Sequence, residues 1–209
     1  MKSRITFSAV KVLDDQGMTT SNILSEAIRY SVDMGARILA MPLTILPVSS
    51  QLIDAIDYAV SQGAILIAAA GNSGSEIEDD SLAAQDGVIT VGSVDNDGSL
   101  SDWSNYGSEL DLLAPWDVVS LGNDGEAGTS FSAALVAGIA ALVLSENPDM
   151  SVNDLFEELI DLTSGLAEEA QEIGGVDLDE LLSRQAAISQ SQEEFTGYLP
   201  EEDPGYNTF

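Results

Sequence analysis

A serine and an asparagine are the residues of this sequence best placed to do chemistry. Ser130 stands in Gly128-Thr129-Ser130, directly ahead of an apolar run from Phe131 to Val143. If that run is helical, its first backbone N–H groups lack intrahelical partners, and the positive end of the helix dipole lies beside the serine. A hydroxyl in that setting suits attack on a carbonyl, with N–H donors ready for the oxyanion. On its own, however, the dipeptide reads first as an ordinary helix cap. The Gly-x-Ser-x-Gly nucleophile elbow of the α/β-hydrolases is not formed, because its last position is Ser132.

The asparagine is Asn72, in Ala68-Ala69-Ala70-Gly71-Asn72-Ser73-Gly74. It follows a continuous apolar run, Ala64–Ala70, of the kind that forms a strand buried on both faces. Ligands of parallel α/β sheets bind at the C-terminal ends of strands. A side-chain amide there can donate to a developing negative charge, a role worth about 3–4 kcal/mol where it has been measured. Alone, Asn-Ser-Gly is more simply a turn.

The elements that must position these two residues alternate between strand and helix, as a mostly parallel sheet with helices on both faces requires. Residues 5–13 alternate and predict a strand. A helix follows from Thr20 to Met34, with Ile23, Leu24, Ala27, Ile28 and Val32 on one face and Gly35 as its stop. Arg37–Met41 predicts a short strand. The next helix spans Ser50 to Gln62, turning Leu52, Ala55, Ile56, Ala59 and Val60 inward and ending at Gly63. Ala64–Ala70, Val88–Val94 and Leu110–Ala114 predict further strands, the last ended by Pro115.

Thr129–Ser145 is apolar almost all round, which predicts a buried central helix, shorter than a membrane span. Ser151-Val152-Asn153-Asp154 opens another helix running to Leu162, and Leu178–Gln185 predicts one more. Residues 186–209 are polar and acidic and predict a mobile tail after a domain over 1–185.

Composition narrows the partners. Acidic residues outnumber basic ones 36 to 6, for a formal charge of −30, while 44% of residues are hydrophobic. Such a surface repels nucleic acid and anionic lipid, so neither is expected as a partner. There is no cysteine and no histidine, which leaves no disulfide and no thiolate or imidazole ligand. The alternating N-terminus does not read as the apolar core of a signal peptide, and no compartment follows from the composition. Asp95-Asn96-Asp97-Gly98 starts like a calcium loop but lacks the distal glutamate, so a hairpin turn is the expectation.

Taken in order, the segments resemble the subtilase family of serine proteases. Ala68–Gly74 is similar to the family's oxyanion-asparagine segment. Val88–Val94 with Trp103-Ser104-Asn105-Tyr106-Gly107 and Leu112-Leu113-Ala114-Pro115 is similar to its next block. Gly128–Gly138 resembles the nucleophile segment, and Gly174-Gly175-Val176-Asp177 the closing turn. The resemblance covers residues 5–183. It implies Ser130 as nucleophile, with Asn72 and the Ser130 N–H as the oxyanion hole. It also implies Ala70, Gly71, Met41 and Leu43 as substrate-binding positions, no catalytic metal, and a peptide or protein substrate. Calcium is compatible with the acidity and the family, but no ligand set follows.

The departures set a second expectation. In this family the catalytic aspartate and histidine precede the serine, and the resemblance places both before residue 1, leaving the sheet incomplete on that side. In a subtilisin, loss of the histidine alone costs about 2 × 10⁶ in turnover. The substrate-pairing strand reads Ala40-Met41-Pro42-Leu43-Thr44, with a proline that lacks an N–H and a threonine where the family has glycine. Ala134-Leu135 stands in place of the family's Pro-His. Two readings stay open: an endopeptidase domain inactive as an isolated chain, or a non-catalytic relative used for binding or assembly. Either way, an open sheet edge beside an apolar helix predicts self-association, instability, or a complementing N-terminal fragment.

Overall fold

The computed structural model describes residues 5–95, 97–117 and 127–161. Its centre is a parallel sheet of four strands: β1 (Ile38–Met41), β2 (Ile65–Ala69), β3 (Val88–Val94) and β4 (Leu112–Pro115). Their spatial order is their chain order, β1-β2-β3-β4, with Ile38 opposite Ile65, Leu66 opposite Val88 and Val91 opposite Leu112. Both β2 and β3 are buried along their whole length; β2 is apolar throughout, whereas β3 also buries Thr90 and Ser93, whose hydroxyls are satisfied by Ala83 O and Ser132 Oγ.

Helices cover both faces. On one, α1 (Ser21–Asp33) and α2 (Ser50–Ser61) pack through Leu24, Ile28, Leu52, Ala55 and Ile56 against Leu39, Met41, Leu66 and Val88. Leu52 and Ile56 are almost wholly removed from water, each worth about 1.5–3 kcal/mol. Both helices begin where the sequence puts a hydroxyl: Thr20 accepts from the Ile23 N–H, and Ser49 from the Leu52 N–H. They stop before Gly35 and Gly63, whose positive φ of 84° and 72° suits glycine.

The opposite face is covered by α3 (Thr129–Glu146). Its Ala133, Val136, Ala137, Ala140 and Leu144 pack on Ile65, Ile67, Ile89, Val91 and Leu112. Residues 152–161 are helical and add Leu155, Phe156 and Leu159 to the same cluster. At 18 residues α3 is long and apolar enough to cross a membrane by those measures alone, so the length expected from the sequence does not settle the matter. Its contacts with all four strands do. Yet the helix is not fully enclosed. Leu142 is exposed, as are Ala134 and Gly138.

One expected strand is absent. Residues 5–13 pair with nothing that makes them a strand, and Phe7 is 93% exposed. Alternation assigns side chains to two faces, but a strand exists only through a ladder. Among the described residues β1 pairs with β2 alone, and its other edge carries no strand. The expected hairpin turn at 95–98 does form. The Asp95 N–H donates to Ser99 O and Gly98 N–H to Asp95 O, while Val94 and Leu100 bridge antiparallel. The expected helix at 178–185, the closing turn at 174–177 and the tail at 186–209 lie outside the described residues.

Candidate active site

The C-terminal end of β2 and the N-terminal end of α3 meet, and the meeting point is Thr129. Helix α3 starts after Gly128, which has no side chain with which to cap it. The cap comes instead from Asn72. Its Oδ1 accepts from the Thr129 N–H at 2.9 Å and from the Thr129 hydroxyl at 2.9 Å. The hydroxyl in turn accepts from the Gly71 N–H at 3.0 Å, deep in the protein. With both Thr129 donors on Oδ1, the Asn72 amide has one orientation that satisfies them, and its Nδ2 is the group left to donate elsewhere. Gly128 allows that amide close to the helix: a Cβ there would lie 3.1 Å from Nδ2.

Ser130 is the next residue, partly open to solvent, and Asn72 is exposed. A side chain that donates, a serine hydroxyl and the Ser130 N–H, lying between the bonded N–H groups of Thr129 and Phe131, are therefore gathered at one edge of the sheet. Such a set can hold negative charge on an oxygen bonded to the serine's acyl partner.

The Ser130 hydroxyl itself donates to the carbonyl of Pro42, 2.9 Å away. Pro42 follows β1, on the segment expected to pair with a peptide. The side chain of Met41 is buried among the α1 and α2 residues, and Leu43 packs against the same cluster. For Met41 and Leu43 that leaves the backbone, while Pro42 and Thr44 are exposed. Pro42 has no N–H, and the Leu43 N–H is taken by Met41 O at 2.7 Å. Ala70 and Gly71 are buried, with the Ala70 N–H on Val91 O and the Gly71 N–H on Thr129. The structure thus brings Ser130, Asn72 and Gly71 together through Thr129, and sets Met41 and Leu43 facing inward beneath them. Thr129 reads from sequence as a local cap; its bonds to residues 57 and 58 positions earlier have no local signal.

Comparison with known proteins decides the family. The Subtilase family model matches residues 3–187. The chain belongs to the subtilase family. It is 36% identical over 163 residues to a thermophilic serine proteinase of Bacillus sp. (strain AK1), covering 75% of this chain and 40% of that one. Subtilisin DY of Bacillus licheniformis is 31% identical over 172 residues, 78% of this chain and 63% of its own. A halolysin-like extracellular serine protease of Natrialba magadii is 33% identical over 185 residues, 85% of this chain and 34% of its own. The subtilase fold is matched by the crystal structure of a cold-adapted subtilisin-like serine proteinase. That match has a TM-score of 0.64 and 29% identity, over 70% of this chain and 56% of the other. The chain therefore spans between 34% and 63% of the length of these curated relatives.

Among the described residues, no group of three or more His, Cys, Asp or Glu side chains gathers that could hold a metal ion.

Proposed function

We propose that this subtilase domain is the nucleophile-bearing part of a serine endopeptidase site and is inert until a general base reaches Ser130 from outside the 209 residues. The observation that carries the reading is the Ser130 hydroxyl on Pro42 O. A peptide carbonyl accepts a hydrogen bond but does not take a proton at neutral pH, so the hydroxyl stays a poor nucleophile. The sequence contains no histidine that could replace it. In this reading Ser130 attacks the scissile carbonyl once a base is present. The Asn72 amide and the Ser130 N–H then stabilise the oxyanion, and the segments holding Met41 and Leu43 and Ala70 and Gly71 flank the peptide's approach, with the backbone N–H groups of Ala70, Gly71 and Leu43 already engaged. The substrate is a peptide or protein. The base comes from a complementing N-terminal fragment, which would also cover the open edge of β1 and the exposed Ala134, Gly138 and Leu142 of α3. Self-association through that face is the competing way to bury it.

The test supplies the base artificially. A fluorophosphonate probe is expected to leave the chain unlabelled in buffer, and to label it slowly when imidazole is added at high concentration. That labelling should vanish in Ser130→Ala. Absence of imidazole-dependent labelling would instead favour a non-catalytic binding or assembly module. One feature already leans that way: the segment after β1 has Pro42 without an N–H and Leu43 with its N–H engaged, a poor template for a peptide strand.

A further inference from the structure

The loop that presents Asn72 is held from a single residue on its far side. Asn105 donates its backbone N–H to Gly71 O at 3.0 Å and its Nδ2 to Ala70 O at 3.1 Å. Its Oδ1 accepts from the Ser73 N–H at 2.8 Å, with the Ser75 N–H at 3.5 Å beyond. The two residues before Asn72 and the residue directly after it are thus bonded to one side chain and its own peptide. Only a short planar group with a donor and an acceptor can do this, which is asparagine's particular chemistry. Gly71 has φ +111°, and a methyl added there would run into the Asn105 amide.

Asn105 also stands next to a buried chain of serines leading to Ser130's helix. The Ser104 hydroxyl accepts from the Ser93 N–H at 3.0 Å, and Ser93 Oγ lies 2.8 Å from Ser132 Oγ. Ser132, two residues past Ser130, donates to Ala114 O at 2.8 Å. Ser93, Ser104 and Ser132 are each at most 1% exposed. The loop carrying Asn72 and the helix carrying Ser130 are therefore referenced to the same dipeptide, Ser104-Asn105.

We propose that Asn105 is the positioning residue for the Asn72 amide, fixing the 70–75 loop so that Nδ2 is aimed beside Ser130. The inference rests on the reading of Asn72 as an oxyanion donor, but its test does not. Nitrogen-15 NMR on the 209-residue chain reads the order parameter of the Asn72 side-chain NH₂ and the exchange of the Ser73 N–H. In Asn105→Ala, Ser73 exchange should speed by about tenfold, the equivalent of one lost hydrogen bond, and the Asn72 order parameter should fall. The amides of Val91 and Leu113 should keep their protection. Asn105→Asp, which keeps the acceptor but not the donor, should restore Ser73 protection. An unchanged Asn72 in Asn105→Ala would overturn the proposal. So would a loss of protection throughout the sheet, which would mark Asn105 as a structural residue only. Should Asn72 prove ordered by Asn105 yet irrelevant to labelling of Ser130, the functional reading falls and this one stands.

Discussion

The Asn72 side-chain oxygen caps α3 by accepting both the backbone N–H and the hydroxyl of Thr129, each at 2.9 Å. One side chain therefore caps a helix through Oδ1 and leaves Nδ2 to donate elsewhere. In the proposed function, capping and oxyanion donation use different atoms of the same group, so substitution separates them.

Asn72→Asp keeps the capping oxygen and loses the donor. Its stability should lie within about 0.5 kcal/mol of the parent, because Asp and Asn cap comparably. Asn72→Ala loses both and should cost roughly 1–2 kcal/mol. Imidazole-dependent labelling should fall by about 10²–10³ in both variants, as loss of an oxyanion donor implies. Urea unfolding alongside labelling rates separates the two roles.

Thr129→Val removes the hydroxyl that joins Gly71 to Asn72 and leaves a buried N–H without its acceptor. A loss of about 1–3 kcal/mol is expected. Thr129→Ser keeps the hydroxyl and should cost no more than about 1 kcal/mol, mainly for the lost methyl. Thermal unfolding of the pair measures this, and equal losses would contradict it.

Gly71→Ala places a side chain where φ is +111° and where the Asn105 amide already lies. Backbone strain alone is worth about 1–3 kcal/mol, with the displaced amide adding to it. Denaturant midpoints should drop accordingly, and a neutral effect would mean the loop is built differently.

Asp97 accepts from both the hydroxyl and the N–H of Ser99, at 2.6 and 3.0 Å, which holds its carboxyl below the ordinary carboxylate range. A depressed folded value stabilises the turn above the unfolded pKa, and that contribution is lost as pH falls through the folded one. Carbon-13 titration should show Asp97 protonating late in acid. Ser99→Ala should move it up toward the usual carboxylate value.

With a formal charge of −30, self-repulsion opposes the compact state. Raising sodium chloride from about 10 mM to about 1 M shortens the screening length from roughly 30 to 3 Å. The unfolding midpoint should therefore rise with salt. A falling midpoint would point to attractive pairs that outweigh the repulsion.

Much of this fold was legible because it is written locally. Thr20, Ser49, Gly35 and Gly63 mark helix ends by chemistry that acts within a turn, and the apolar run of β2 announces burial on both faces. Residues 5–13 were misread because a ladder needs a neighbour that alternation does not specify. Ser130 and Asn72 stood out by type and context. What joins them did not: Thr129 reaches Asn72 across 57 residues and Ser130 reaches Pro42 across 88. Asn105 sat within a motif block, yet nothing near it in sequence says that its amide grips Ala70 and Ser73.

The agreement between chain order and strand order also bears on how the protein is made. Each strand joins the sheet beside the one synthesised just before it, so β1 to β4 can assemble as they leave the ribosome. Their second face cannot close so early. Ile65, Ile67, Ile89 and Val91 wait for α3, which begins only at Thr129, and for the helical segment after it. During that interval a half-covered sheet is open to other nascent chains, the period in which aggregation competes with folding. Slowed translation between β4 and α3 would lengthen that exposure.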